Sequence, residues 1–529
     1  MSSSLEARRR ANLGYLNLDA ATAHAARPAI VDYATTPPRI VSHGEMFAAM
    51  ERVGAAAQGA GLKPGDIVLL AMTNRTEFIV AFFGLMRAGA VPIPLNIKLG
   101  ADTIRFILED SRAVAAVVEP EANPHVVALV DAAGLKTRVA LAPAPPAGWQ
   151  SYARWLDAAD PAALDPPTIE GAQIAFIPYT SGSTGRPKGV MLAHRGLLWS
   201  IRTAQKYRPS GPDDRALVAG PLYHKNAMRE GVKPRLHAGG SVVLMPRFDP
   251  RAALVALAEH ACVHFAGVPA MFKLMLQQRD LLARLKFPKL KGLAMGSAVV
   301  GAELLHAVEA AFGVAARDTY GLTEGGGPLG SPLDGRRMPP ESCGVQAPEV
   351  ELRLVDRDGR TNTGQGELWV KSPVVAVGYL NLPDLTAERL PDGWLRTGDV
   401  FRRDAEGFYY FLGRTDDAFR SGGENIYPKE VENLLLGHPG VADAAVMPAP
   451  HPIKGQVPIA LVVRRTGTGA SEDDLKQYCL ANGPAYAHPR RVFFIDAIPL
   501  GGTEKVDPKA VRELGLKLLA ASPIAATSA

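Results

Sequence analysis

The stretch Tyr179-Thr-Ser-Gly-Ser-Thr-Gly-Arg-Pro-Lys-Gly189 decides how the rest of this chain is read. It follows a short apolar segment, 173–178, that reads as a strand. Gly182, Gly185 and Gly189 let backbone N–H groups approach an anion, while serine and threonine hydroxyls and Lys188 add donors and charge. Such a loop leaving a buried strand is an oxyanion cradle. It is not the Walker pattern, which needs Ser or Thr directly after the lysine, because Gly189 stands there.

Around this loop, short apolar runs alternate with helical patterns. Residues 66–72 read as a buried strand. Residues 77–87 read as a helix with Phe78, Phe82, Leu85 and Met86 on one face and Gly89 as its stop. Val91-Pro-Ile-Pro-Leu95 is extended, because proline disfavours helix in itself and in the residue before it. Residues 113–118 form another strand. This rhythm predicts α/β layers with largely parallel sheets. Residues 142–171, rich in Pro and Ala, read as a connector. From Val350 the pattern is strand-heavy, at 350–355, 366–371 and 408–412. A smaller pattern follows Arg414, with helices near 429–436 and 472–479 and strands at 441–446, 459–463 and 492–495. The expected fold class is α/β: a large N-terminal domain of layered sheets and helices with a β-rich subdomain over 1–414, and a small α+β C-terminal domain over 415–529.

Composition narrows the class. With 47% hydrophobic and 21% charged residues, the 529-residue chain has ordinary globular usage and is not a disordered protein. The length fits roughly three to four units of ~100–200 residues. Cys262, Cys343 and Cys479 are far apart and odd in number, so they build neither a disulfide framework nor a zinc site, and a cytoplasmic, reducing compartment is expected. A net charge of +5 is weak for this length, and no Lys/Arg tract carries interleaved aromatics, so no nucleic-acid partner is expected. Arg8, Arg9 and Arg10 read as a solvated end. The most apolar segment, 254–272, is interrupted by Glu259, His260 and His264, which predicts core rather than a membrane span. No apolar segment of a secretory signal opens the chain.

Further motifs follow the cradle in order. Gly220-Pro-Leu-Tyr-His224 sets a histidine after a tight turn. In Asp318-Thr-Tyr-Gly-Leu-Thr-Glu324, Tyr320 offers a flat face, Thr323 a hydroxyl and Glu324 a hard oxygen ligand of the kind Mg²⁺ takes together with phosphate oxygens. Asp399, closing Gly393-Trp-Leu-Arg-Thr-Gly-Asp399, is a natural bidentate acceptor for two vicinal hydroxyls. Gly413-Arg-Thr-Asp-Asp417, Phe419-Arg-Ser-Gly-Gly-Glu-Asn-Ile-Tyr-Pro428 and Pro499-Leu-Gly-Gly-Thr-Glu-Lys505-Val-Asp507 complete the series.

Together these motifs, spanning about 179–507, resemble the adenylate-forming superfamily of acyl- and aryl-CoA synthetases, carrier-loading adenylation domains and beetle luciferases. The resemblance implies an AMP-forming carboxylic acid–CoA ligase using ATP, Mg²⁺ and coenzyme A. It assigns the nucleotide to Thr180, Ser181, Gly182, Ser183, Thr184, Gly185, Lys188, Gly296, Ser297, Ala298, Asp318, Thr319, Tyr320, Gly321, Thr323, Asp399, Arg414 and Lys505, the metal to Glu324, and catalysis to Lys505, Glu324, His224, Thr180 and Lys188. His224, Asn226, Ala227, Gly296, Tyr320, Gly321 and Gly325 would border the acid. Lys505 would offset the two anions brought together in adenylation, and Asp416 would be the hinge of a mobile C-terminal domain. Ser421, Gly422, Gly423, Glu424 and Arg490 would face CoA. Two departures stand out: Glu504 replaces the family's usual glycine before the lysine, and Ala487 and His488 stand where relatives often carry a cation.

The substrate is read as a small or medium acyl or aryl acid. Glycines 325–327 leave room for a ring or a branched acid, whereas Lys225 and Asn226 suit a hydroxylated or dicarboxylic one. Lys225, Arg229 and Lys233 form a basic stripe at helical spacing, read as a solvated face, with CoA-phosphate contact or recognition of a second carboxylate as the sharper readings. The alternative to a CoA ligase is an enzyme loading a separate acyl carrier protein. A homodimer is the candidate assembly.

Overall fold

The computed structural model describes residues 4–180, 186–296, 300–356, 358–421, 424–485, 487–500 and 506–522. Two parallel sheets organise its N-terminal part. One runs in the order Ala316–Thr319, Gly292–Gly296, His264–Gly267, Arg215–Val218, Ser241–Leu244, Pro28–Asp32 and Arg39–Ser42, parallel except for its last pair. The other runs Val91–Pro94, Ile67–Ala71, Ala115–Val118, Thr137–Ala140 and Gln150–Ser151, parallel throughout. Parallel sheets must be covered on both faces. The segments Ile67–Ala71 and Ala115–Val118 are accordingly apolar without alternation, and almost every residue in them is buried.

Helix Thr76–Arg87 packs against helix His43–Gly59 and the turn Leu13–Tyr15. Every residue from Phe78 to Arg87 is buried, which corrects the one-face reading: this helix is walled on all sides. The connector reading of 142–171 is corrected as well. It holds the strand Gln150–Ser151 and the helix Tyr152–Asp157, and Tyr152 and Trp155 sit in the main apolar core. The arginines at the start of the chain are tied down, with Arg9 3.2 Å from Glu51 and Arg10 2.8 Å from Glu6. Cys262, Cys343 and Cys479 are free and buried.

An antiparallel sheet follows, in the order Thr361–Asn362, Glu351–Val355, Gln365–Lys371, Leu395–Arg403 and Tyr409–Arg414. Along Gln365–Lys371 buried and more open residues alternate, the pattern of a sheet with one solvated face. The C-terminal part is a separate sheet, Glu424–Ile426, Phe419–Ser421, Gly455–Arg464 and Val441–His451, with Arg491–Phe494 added parallel to Gly455–Arg464. Helices Pro428–Leu436, Glu472–Asn482 and Pro508–Ala521 pack on it.

The end of the central helix carries a fully buried cation. Arg87 pairs with Glu51 at 2.9 Å, donates to Gly14 and Phe47 carbonyls at 2.9 and 3.0 Å, and lies 4.0 and 4.4 Å from the Phe47 and Tyr15 ring centroids. Burial pulls its pKa down to about 10, still charged at neutral pH. Removing one partner of a buried ion pair costs about 3–5 kcal/mol. Arg87→Leu is therefore expected to lower stability by about that amount, read as a lower urea midpoint for loss of tryptophan fluorescence; an unchanged midpoint overturns this role.

Candidate active site

In the seven-stranded sheet, Arg215–Val218 lies between Ser241–Leu244 and His264–Gly267, so the winding reverses there. Open parallel sheets form their ligand crevice at the carboxyl ends of the strands beside such a reversal. The motifs sit at those ends: Gly220–His224 follows Val218, Gly296 ends its strand, and Tyr320 follows Thr319. Gly296 pairs with Thr319, and a Cβ at Gly296 would lie 2.5 Å from Thr319 Oγ1, so only glycine fits. The Thr319 hydroxyl donates to the Met295 carbonyl at 2.8 Å, which makes it a brace between strands. Asp318 is raised to about 7 by burial, opposed by the Thr319 backbone and the Lys429 charge. Ser297 and Ala298 lie outside the described residues.

The cradle is closed at its base by strand pairing. Tyr179–Thr180 runs antiparallel to Lys188–Ala193, with Thr180 opposite Lys188 and Tyr179 opposite Gly189. Tyr179 donates to Asp110 at 2.7 Å, fixing the hairpin to the helix Ala101–Ser111. Ser181, Gly182, Ser183, Thr184 and Gly185 lie outside the described residues.

Residues 322–326 form a tight reversal, Leu322 and Gly326 exchanging backbone bonds of 3.0 Å, with Thr323 and Glu324 between them. Tyr379 donates to Glu324 Oε1 at 3.1 Å. Tyr320 donates to Asp399 Oδ2 at 2.5 Å and lies edge-on to Phe401, 4.7 Å between centroids, with Phe411 stacked at 6.4 Å. Asp399 Oδ1 pairs with Arg414 at 3.0 Å, its partner across the ladder. Burial raises Asp399 above the ordinary carboxylate range, against the pull of Arg414 and Tyr320. Both oxygens of Asp399 thus already accept one bond each, leaving their second lone pairs for a ligand.

His224 is exposed at the mouth of a pocket that also takes in Lys225, Met228, Thr323 and Gly326, with Asn226 and Ala227 on the same segment. Its turn is pinned by a residue the sequence gave no reason to single out. Asn74 donates to the Gly220 carbonyl at 2.8 Å and accepts from Leu222 N–H at 2.8 Å. Only the fold brings Asn74, at the end of a strand of the other sheet, to this loop; Tyr379 beside Glu324 is a second such residue.

Two sequence readings are corrected here. Glycines 325–327 leave no spare room: a Cβ at Gly325 would meet Leu395, one at Gly326 Val374, and one at Gly327 the Arg229 guanidinium, which also covers Gly321. The basic stripe is not a solvated face. Its segment widens into a π-turn over Ala227–Val232, and Lys233 is only 8% exposed. Beside it, Arg229 pairs with Glu230 at 2.6 Å.

In the C-terminal part, Ser421 is buried and pairs with Glu424 across a hairpin whose tip, Gly422 and Gly423, lies outside the described residues, as do Glu504 and Lys505. Leu500 and Val506 pair across that last stretch, and Asp507 caps the helix Pro508–Ala521. Arg490 is buried, with Nη1 2.6 Å from His488 Nε2, so the CoA candidate and one of the two departing residues bind each other. Asp416 is exposed in the turn between Arg414 and Phe419.

The AMP-binding enzyme family matches residues 18–380, and the AMP-binding enzyme C-terminal domain matches 430–505. The chain is 36% identical to a feruloyl-CoA synthase of Amycolatopsis sp over 89% of its own length and 93% of that protein. It is 33% identical to the indoleacetate–CoA ligase of Aromatoleum aromaticum over 90% and 94%. The ATP-bound structure of MatB from Rhodopseudomonas palustris superposes with a TM-score of 0.86 at 29% identity, covering 96% of this chain and 99% of that one. A motif series at the carboxyl ends of one parallel sheet, a two-domain match and near full-length relatives agree: the chain belongs to the AMP-binding enzyme family and is an AMP-forming acid–thiol ligase.

Proposed function

We propose that this ligase activates a small or medium acyl or aryl acid with ATP·Mg²⁺ and passes the acyl group to free CoA. The observation that supports this reading is that Pro178, just before the Thr180–Lys188 pair, lines one pocket with His224 and Thr323, while Glu324 takes a bond from Tyr379, whose strand pairs with Lys188–Ala193. In the first step the substrate carboxylate oxygen bonds to the α-phosphorus, the bond from that phosphorus to the bridging oxygen breaks, and pyrophosphate leaves. In the second the CoA thiol gives its proton to solvent, its sulfur bonds to the acyl carbon, the bond from that carbon to the adenylate phosphate oxygen breaks, and AMP leaves. Both steps ask the protein to align anions and neutralise charge rather than to supply a nucleophile.

The residues divide that work. Lys188 and Thr180, facing each other at the loop base, hold phosphate oxygens. Thr323 donates to the α-phosphate. Glu324, with one carboxylate oxygen bonded to Tyr379, would hold Mg²⁺ through the other, and the cation would supply neutralisation of the phosphate charge. Among the described residues no three His, Cys, Asp or Glu gather as a metal cage, which suits a cation held by one carboxylate and phosphates. Asp399 takes the ribose hydroxyls. Residues 1–414 and 415–529 act as two domains turning about Asp416, so that Lys505 serves adenylation and the hairpin carrying Ser421, Gly422, Gly423 and Glu424 serves thioester formation. Arg490, with one nitrogen bonded to His488, is the candidate cation for CoA. Use of ATP and CoA puts the enzyme in the cytoplasm; among the described residues no helix is long and apolar enough to cross a membrane.

A pyrophosphate-release screen with acids, ATP and Mg²⁺, run with and without CoA, tests the reading. Turnover giving AMP and a thioester only with CoA supports it, and turnover indifferent to CoA moves the acyl group to a carrier protein. Lys505→Ala is expected to slow adenylate formation by about 10²-fold or more while sparing thioester formation from supplied acyl-adenylate; equal loss in both half-reactions removes that role. Glu324→Gln is expected to lower kcat by about 10²–10³-fold and to weaken the Mg²⁺ dependence, whereas an unchanged Mg²⁺ titration assigns the metal to another group.

A further inference from the structure

Within the pocket behind His224 the walls are mostly apolar, supplied by residues such as Phe82, Phe176, Leu222 and Met228. They are interrupted by cations of a single segment, among them Arg229 and Lys233, and no Asp or Glu is among the described lining residues. Lys233 is more than nine-tenths buried, and among the described residues its ammonium meets no carboxylate. Arg229 gives Nε and Nη2 to Glu230 at 2.9 and 2.6 Å. Its Nη1 is buried, has no hydrogen-bond acceptor among the described residues, and lies against Gly321 and Gly327 beside the Thr323–Glu324 turn.

Charge does not balance locally. Glu230 is shared by Arg229, by Arg317 at 3.6 Å and by His264 at 3.9 Å. One carboxylate therefore faces two guanidiniums, and Lys233 adds a third cation. Burial, and then the Arg229 charge, pull Lys233 down to about 8, the mark of an ammonium lacking its counter-ion. A desolvated cation is costly to keep unless an anion completes it. The pocket is open to the crevice in which the acid is activated, so that acid can bring the missing charge.

We propose that the acid pocket ends in an anion subsite made by Arg229 and Lys233, and that the substrate is a dianionic acid whose second carboxylate or sulfonate binds there while the first is adenylated beside His224 and Thr323. This rests on the ligase reading above. The apolar walls fit a spacer of methylenes or an aromatic ring between the two anions. Arg229 and Lys233 set specificity; they take no part in bond making. A monoacid of the same length leaves the Lys233 ammonium without a counter-ion and Arg229 Nη1 without an acceptor, and sites built to pair a polar group discriminate strongly against ligands that lack it.

The test compares matched pairs with the full-length enzyme, ATP, Mg²⁺ and CoA: adipate against hexanoate, and terephthalate and 4-sulfobenzoate against 4-methylbenzoate. AMP release and thioester are both followed. The expected result is that kcat/KM for a dianion exceeds that of its monoanion by about 10²-fold or more. The carboxylate and sulfonate arms tell which second group is taken. Lys233→Met, which keeps the length of the side chain and removes a buried charge, is expected to raise KM for the dianion and to shrink or reverse the ratio, with its melting temperature recorded to show that it folds. Arg229→Gln gives the same shift independently. Monoanions turned over as well as dianions, or a ratio unmoved by Lys233→Met, overturn the subsite and leave the ligase standing. Absence of AMP release with every acid overturns the ligase reading and the subsite with it.

Discussion

The carboxylate of Asp399 is the point at which three parts of the molecule are joined. It stands on the antiparallel sheet, accepts the hydroxyl of Tyr320 from the carboxyl end of the parallel sheet, and pairs with Arg414, the last residue before the turn into the C-terminal part. Burial works against its charge, and Arg414 and Tyr320 work for it. A buried anion held by two directed partners has little freedom to move, so the relative position of the two sheets is fixed where the nucleotide candidates lie. Thr397 strengthens the arrangement, bonding the Leu368 carbonyl at 2.6 Å and receiving Asp399 N–H at 3.1 Å.

Much of this was legible in the chain because motifs are local. Each motif, from the hydroxyl- and glycine-rich loop after a strand to the heptapeptide closed by Glu324, is a few consecutive residues, and the family follows from them. Strands buried on both faces announce themselves as unbroken apolar runs, and those at 66–72 and 113–118 lie where they were read, within two residues. Periodicity misled where burial was complete. Residues 77–87 show an apolar face, yet the opposite side of that helix is just as buried, and the arginine ending it is satisfied by groups more than thirty residues away. Tyr152 and Trp155 were hidden in a stretch whose prolines and alanines suggested a linker.

The acid pocket was the least legible part, and the reason is spatial. A basic residue every fourth position has the same spacing on a solvated face as on a buried one; only the π-turn and the wall opposite decide which it is. Three consecutive glycines suggest free space, but the space belongs to whatever packs against them, here Leu395, Val374 and Arg229 from distant parts of the chain. In the same way nothing in the spacing of His488 and Arg490 tells that they are bonded to each other.

The pairing of Tyr179–Thr180 with Lys188–Ala193, beneath the loop proposed to hold phosphate, has a consequence for the energetics of turnover. Because Thr180 and Lys188 are ladder partners, the two ends of the loop are already brought together in the folded protein. Closing a loop of this size carries an entropic cost that grows only slowly with its length, so most of that cost lies in joining the ends at all. It is met once, when the chain folds, rather than in each catalytic cycle. Nucleotide arrival does not have to bring Thr180 and Lys188 together, and a larger share of the binding free energy remains for the approach of two anions.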